Sequence, residues 1–208
     1  MASVLSQTHR DVELIVIDNG STDGTRQVLS AASAERLPIT IIEAPKNGGK
    51  GSAIRLGMQR AQGSIIAIQD ADLELDPQQL ADLVMPIVRG ETTVVYGSRF
   101  LAGRSGAPLV TVLANRALTT ATNVLFGSAL TDMETCYKVM RADVARSLNL
   151  RAERFDIEPE ITAKLLRCGC EIRELPVRFD ARSRAEGKKI GWRDGIHALR
   201  VLVRERFK

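Results

Sequence analysis

Ile65-Ile66-Ala67-Ile68-Gln69-Asp70-Ala71-Asp72 constrains this chain more than any other stretch. A short apolar run rich in β-branched residues predicts a buried strand. It closes on two carboxylates spaced i, i+2, and strand geometry puts such a pair on one face. Asp70 and Asp72 are therefore expected together at the carboxyl end of a buried strand, where open α/β sheets bind ligands. With Glu74 two residues on, they form a hard-oxygen set suited to Mg²⁺ or Mn²⁺ that leaves room for a substrate diphosphate. The same residues also suit an Asp-rich turn capping the next helix, and D-x-D alone does not separate the two uses.

The surrounding pattern alternates. Residues 12–18 (VELIVID) predict a buried strand, followed by a turn at Asn19-Gly20-Ser21-Thr22-Asp23-Gly24 and a helix. Residues 39–43 predict another strand. Asn47-Gly48-Gly49-Lys50-Gly51 is a glycine-rich loop opening a helix with Ile54, Met58 and Ala61 on its inner face. Asp76-Pro77 reads as an N-cap with proline in the first turn, ahead of a stripe of Leu80, Leu83, Val84 and Ile87. Strands over 93–97 and 171–179 and helices over 110–126, 157–167 and 193–207 complete the reading. Such alternation predicts an α/β fold with a mostly parallel sheet flanked by helices. The second half is less regular, so its strands are expected at an edge or antiparallel. No repeat or linker interrupts the chain, which reads as one domain over 1–208.

Composition narrows the partners. No uninterrupted apolar run reaches the roughly 18 residues that span a bilayer, and residues 1–11 lack a signal-peptide core. Cys136, Cys168 and Cys170 are too few and too irregular for a disulfide framework or a zinc site, so reduced thiols and a cytoplasmic location are expected. Residues 182–208 hold nine Lys/Arg against three Asp/Glu, more than the whole net charge of +4. That tail calls for an anionic partner: phosphate, lipid headgroup or nucleic acid. Aromatics make up 4% of the chain and do not interleave with the basic tail, so no stacking platform for nucleic acid is evident. The last helix either packs on the domain or lies in a membrane interface.

Several residues gather at the expected strand ends. Asp18 ends the first strand, where a carboxylate can accept from a base or a ribose, or simply build the Asp-Asn-Gly-Ser turn. The Asn47–Gly51 loop offers backbone N–H groups and Lys50 to an anion. It matches neither common nucleotide-loop pattern. Gly97-Ser98-Arg99 brings a guanidinium near the same edge, for a ligand or for a surface ion pair. Asp132 and Glu134 follow the long helix, either for the site or for solvation of the helix end. Arg182, Arg184, Lys188 and Lys189 form a polar stretch able to fold over a phosphate, or a solvated basic loop.

In these residues the chain resembles family 2 glycosyltransferases of the GT-A fold, in particular dolichol-phosphate mannosyltransferase and related polyprenyl-phosphate sugar transferases. The matching segments begin with SVLSQT at 3–8, VIDNGSTDGT at 16–25, NGGKG at 47–51 and QDADLE at 69–74. They continue with GSRF at 97–100, TDMETCYK at 131–138, FDIEPE at 155–160 and EGKKIGW at 186–192. The resemblance implies that Asp70, Asp72 and Glu74 hold the metal and donor diphosphate. It implies that Asp18 contacts the nucleoside with Lys50 near it. It further implies that Arg99, Arg116, Arg182 and Lys188 or Lys189 bind the acceptor phosphate, with Asp132 and Glu134 as acceptor-side carboxylates and Asp72 among the catalytic groups. Two departures stand out. Asn19 occupies a position where aspartate is common. The family's first strand, of the type V-x-V-V-I-P-x-Y-N-E, is expected centrally in the sheet, and this chain starts after it.

The implied reaction is metal-dependent, inverting transfer of a sugar from a nucleotide-diphosphate sugar of the GDP-mannose or UDP-glucose type to a polyprenyl phosphate. The chain would meet its lipid peripherally at the cytoplasmic membrane face or through a membrane partner. Two other readings stay open: a family 2 enzyme with a hydroxyl acceptor and Glu134 as base, or a non-catalytic module that binds membranes or partners.

Overall fold

The computed structural model describes residues 1–9, 11–34, 39–101, 103, 106–181 and 192–208. Six strands and eight helices appear among them, in the order α1 (Ala2–Leu5), β1 (Leu14–Asp18), α2 (Thr25–Ala34), β2 (Ile39–Glu43), α3 (Lys50–Arg60), β3 (Ile65–Ala67), α4 (Leu80–Val88), β4 (Val94–Ser98), α5 (Leu109–Phe126), β5 (Lys138–Arg141), α6 (Ala142–Ser147), α7 (Ile157–Arg167), β6 (Ile172–Pro176) and α8 (Trp192–Arg206). A single 3₁₀ turn, Pro77–Gln79, precedes α4 and is capped as the sequence predicts: the Asp76 carboxylate accepts from the Gln78 N–H at 3.0 Å.

Two separate sheets form. β1 and β2 pair in parallel, and β3, β5, β4 and β6 line up in that order. β4 and β6 are parallel, whereas β5 runs antiparallel to both β3 and β4. The α/β fold with parallel pairs and flanking helices is the expected one, and the second half supplies an antiparallel reversal, as expected there. The reversal is the antiparallel β5, a four-residue strand too short to show a period. Among the described residues β1 makes no ladder with β3, so the strands divide near the middle, where a central strand is expected.

All five residues of β4 are buried, as a strand covered on both faces should be. Val94, Val95 and Tyr96 pack with Val139 and Met140 of β5, Leu83 and Ile87 of α4, and Ile157, Ile161 and Leu165 of α7. The Tyr96 hydroxyl meets Thr162 Oγ1 at 2.9 Å, which satisfies the one polar atom this ring brings inside. β1 is only half-buried until it reaches Asp18.

The strand expected through Asp72 stops at Ala67. Ile68 still donates to the Lys138 carbonyl, but the Asp70 N–H turns to the Cys136 thiol at 3.2 Å. Leu73 then takes φ +63°, a left-handed conformation unusual for a leucine, and leaves its side chain in solvent. Asp70 and Asp72 thus lie on a turn past the strand end, and the same-face argument drawn from strand geometry does not apply to them.

Candidate active site

The loop after β1 and the loop before α3 are tied together by one side chain. Asn19 Oδ1 accepts from the Gly48 N–H at 3.0 Å, and its Nδ2 donates to the Gly49 carbonyl at 3.0 Å. The glycine-rich loop is then pressed onto residues 152–154. A Cβ at Gly49, whose φ is +86°, would lie 2.4 Å from the Glu153 carbonyl oxygen, and one at Gly51 2.4 Å from that of Ala152. The N–H groups of Gly49 and Gly51 are donated to Asn47 Oδ1 and to the Arg154 carbonyl. The N–H groups of Gly48, Gly49 and Gly51 are thus used inside the protein, the loop's glycines serve close approach, and the loop delivers the Lys50 side chain to the site.

Lys50 is the centre of a buried charge chain. Its ammonium lies 2.7 Å from Asp70 Oδ2 and 2.7 Å from Glu158 Oε1. Glu158 Oε2 meets the Lys138 ammonium at 2.9 Å, and Lys138 is fully buried, donating also to the Met133 and Thr135 carbonyls. Burial opposes the charge on Lys50, yet the carboxylates of Glu158 and Asp70 reverse this and raise its pKa well above the usual lysine value. Glu158 is held below the ordinary glutamate range because Lys138 and Lys50 outweigh its burial. Asp70 keeps a third of its side chain exposed, so the chain ends at solvent.

Glu134 lies in the same field. Its Oε1 is buried and takes no hydrogen bond among the described residues. Burial, reinforced by the charge of Glu158, lifts its pKa from 4.5 to about 7. A buried carboxyl of this kind requires an explanation, and a substrate hydroxyl or phosphate is a natural one.

The other side of the site is built on Arg99. Its Nε and Nη2 donate to Asp132 Oδ2 and Oδ1, both at 2.7 Å, and its backbone N–H also reaches Oδ2. Asp132 is fully buried, and its own N–H is taken by Glu174. Both Asp132 oxygens therefore serve Arg99, and in this structure Asp132 positions a guanidinium. This also replaces the surface ion pair as a reading of Arg99, whose side chain is 14% exposed. Arg99 lies over the Phe179 and Phe100 rings, and Arg116 of α5 lies over Phe100 from its own position, 5.9 Å from the centroid. Two guanidinium groups thus share one aromatic ring. α5 ends on Gly127 in the left-handed conformation, and Asn123 ties down Ser128 and Leu130, which aims Thr131 and Asp132 back at the end of β4.

The remaining expected residues fall as follows. Asp18 ends β1 as predicted, but its oxygens accept from the Ser21 N–H at 3.0 Å and Arg26 Nε at 2.8 Å. Those bonds, Ser21 first and then Arg26, lower its pKa, and the turn-building use is the one realised here. Asp72 Oδ1 accepts from the Glu74 N–H, which is the turn-forming use. Among the described residues no three His, Cys, Asp or Glu side chains gather as a metal cluster, so Asp70, Asp72 and Glu74 do not form the three-ligand set expected. The donor chemistry still fits Mg²⁺ or Mn²⁺. Such ions are commonly held by one or two carboxylates plus substrate phosphates, and no described residue donates to Asp70 Oδ1. Arg182, Arg184, Lys188 and Lys189 lie outside the described residues. Glu158 and Lys138 stand in segments already matched to the family, yet they received no role. The usable signal was spacing: Glu158 shares a helical face with Ile161 and Leu165, and a carboxylate on an apolar face must find a cation.

A sequence profile described as glycosyl transferase family 2 matches residues 1–148. The chain belongs to that family. It is 28% identical over 188 residues to a dodecaprenyl-phosphate galacturonate synthase of Rhizobium johnstonii, covering 90% of this chain and 54% of the relative. It is 27% identical over 188 residues to an undecaprenyl-phosphate mannosyltransferase of Micrococcus luteus, covering 86% and 76%. The chain thus spans about half of the first relative and about three quarters of the second. Glucosyl-3-phosphoglycerate synthase of Mycobacterium tuberculosis in complex with UDP superposes with a TM-score of 0.71 at 21% identity, over 95% of this chain and 70% of that one. The same enzyme with Mn²⁺, UDP-glucose and phosphoglyceric acid gives 0.67 at 22%, over the same shares of the two chains. At such identity the likeness establishes the fold, which is that of GT-A glycosyltransferases. Proteins named as polyprenyl-phosphate sugar transferases are thus among its relatives.

Proposed function

We propose that this enzyme transfers a sugar from a nucleotide-diphosphate sugar to the phosphate of a polyprenyl lipid, with inversion at the anomeric carbon. The observation that carries this reading is the pair of guanidinium groups, Arg99 and Arg116, on the single Phe100 ring. Asp132 fixes Arg99 in a bidentate clamp, the arrangement that suits a guanidinium kept for a phosphate. The relatives named for polyprenyl-phosphate substrates support the choice of acceptor.

Lys50 and Asp70 form the donor side in this reading. A neighbouring glycosyltransferase carries UDP-glucose with Mn²⁺, which supports a sugar nucleotide here. Asp70 and Asp72 would hold the divalent ion, which neutralises charge on a leaving diphosphate. Lys50 turns its ammonium from Asp70 to the diphosphate, while Glu158 keeps it in place. The acceptor phosphate is already an anion at pH 7, because its second pKa is near 6. Arg99 and Arg116 hold it with one oxygen facing the anomeric carbon. That oxygen forms the new C–O bond, the bond to the diphosphate breaks, and the nucleoside diphosphate leaves. No strong base takes part.

Transfer of labelled sugar from UDP-glucose and GDP-mannose to a polyprenyl phosphate, with the neutral polyprenol as control, tests this. Turnover with the phosphate alone, falling on the order of a hundredfold in Arg99→Ala, supports it. Turnover with the alcohol in place of the phosphate contradicts it. Glu134 sustains a second reading, a hydroxyl acceptor with this carboxyl as general base, since it is buried, lacks a partner on Oε1 and has a pKa of about 7. Loss of turnover in Glu134→Gln with donor binding intact selects that reading, and retained turnover selects the first.

A further inference from the structure

Glu174 stands in β6, opposite Tyr96 of β4. It is half-buried, and among the described residues three hydrogen bonds reach its carboxylate, none of them from a cation. Oε2 accepts from the Thr131 N–H at 2.7 Å and from the Thr131 hydroxyl at 2.9 Å. Oε1 accepts from the Asp132 N–H at 2.9 Å. A carboxylate drawn away from water must find donors. Here they all come from two consecutive residues of the loop between α5 and β5. Bonds to an ionised acceptor are roughly twice as strong as neutral ones, so this loop is held firmly to β6.

The same carboxylate reaches a second loop through hydroxyls. The Thr131 and Ser98 hydroxyl oxygens are 2.6 Å apart, and Ser98 is fully buried. Thr131 has one hydroxyl proton and gives it to Glu174, so Ser98 must donate to Thr131. Ser98 Oγ in turn accepts from the Phe100 N–H at 3.3 Å. A directed chain therefore runs from the Phe100 N–H through Ser98 and Thr131 to Glu174. Its two ends bracket Arg99: Phe100 follows it in the chain, and Asp132 holds its Nε and Nη2. Asp132 fixes the guanidinium, but Asp132 itself is fixed from β6.

We propose that Glu174 is the positioning residue of the acceptor side, acting through Thr131, Asp132 and Ser98 to set the direction of the Arg99 guanidinium. Glu174 touches neither substrate. It holds the loop before β5 directly and the loop after β4 by the hydroxyl chain, so the two move as one unit with Arg99 between them. The Asp132 clamp uses Nε and Nη2 and leaves Nη1 of Arg99 for a phosphate oxygen. A glutamine at 174 has the same length but turns an N–H₂ group toward an N–H donor, so at least one of the three bonds is lost. Valine at 131 keeps the shape of threonine and removes only the hydroxyl. The role of Glu174 in turnover rests on the phosphate-acceptor reading above, but its role in holding Arg99 does not.

Two readouts on the full chain test the proposal, with circular dichroism to certify the fold of each variant. The first is the Nε–H resonance of Arg99 in ¹⁵N-arginine-labelled protein, assigned by its loss in Arg99→Lys. In the parent this proton should exchange slowly with water. In Glu174→Gln and in Thr131→Val it should exchange on the order of tenfold faster or more, and Thr131→Ser, which restores the hydroxyl, should match the parent. The second readout is transfer from UDP-glucose or GDP-mannose to a polyprenyl phosphate. Glu174→Gln should raise KM for the phosphate about tenfold and leave KM for the donor unchanged. Slow exchange retained in both Glu174→Gln and Thr131→Val overturns the proposal. So does an equal rise in both KM values, which a general loosening of the fold would give. Fast exchange with an unchanged acceptor KM supports Glu174 as the positioner and contradicts only the phosphate role of Arg99. The resonance needs neither donor nor acceptor, so it decides the proposal even where the parent shows no turnover.

Discussion

Glu134 and Glu158 share one buried field and are pushed in opposite directions, the first up to about 7 and the second below its ordinary value. The difference is in their partners: Glu158 has two lysines within 2.9 Å, and Glu134 Oε1 has none among the described residues. Two consequences follow at this scale. Folding favours the protonated Glu134 between its ordinary pKa of 4.5 and its folded value of about 7. The folded chain binds the extra proton there, so stability falls as pH rises through that window and levels off above it. Glu134→Gln should therefore gain stability over the parent as pH increases, by up to about 3 kcal/mol. Urea unfolding at pH 4.5 and pH 8 measures the gap, and a gap independent of pH contradicts the assignment. Glu158→Leu, in contrast, strands the fully buried Lys138 and should cost roughly 3–5 kcal/mol in the same assay. A loss below about 1 kcal/mol shows that the ion pairs are not buried as described. The carboxylate positions themselves were legible in the sequence, but their uses were not. Asp132 and Glu134 are two residues apart, and only the fold reveals that one clamps Arg99 while the other has a buried Oε1 with no hydrogen bond among the described residues.

At the scale of elements, the two sheets differ in what covers them. β4 is buried along its whole length, and β1 is half-buried with a single paired edge among the described residues. Amides of Leu14–Ile17 should exchange with solvent on the order of a hundredfold faster than those of Val94–Tyr96. Hydrogen exchange read by NMR checks this, and equal protection contradicts the division of the sheet. β2 and α7 were readable residue for residue, because β-branched runs and 3.6-residue spacing are strong local signals. β3 was overread, since the apolar run continues to Ile68 while the ladder stops at Ala67. β5 escaped notice because Lys138 at its start looks like a surface residue, and its burial depends on Glu158 from a distant helix. α5 was located correctly, but the helical period does not tell which face the fold will cover.

At the scale of the whole molecule, the buried charges of the candidate site come from both halves of the chain. Lys50 and Asp70 come from the first half and Glu134, Lys138 and Glu158 from the second, and the buried ion-pair chain joins them. The central claim is that this chain presents its Lys50–Asp70 end to a pyrophosphate. Isothermal titration of UDP and of GDP with Mn²⁺ into the full chain and into Lys50→Met tests it most directly. Binding of one nucleotide that weakens at least about tenfold in Lys50→Met, with the fold retained by circular dichroism, is the predicted result. Undiminished binding in that variant, or no binding of either nucleotide to the parent, contradicts the account.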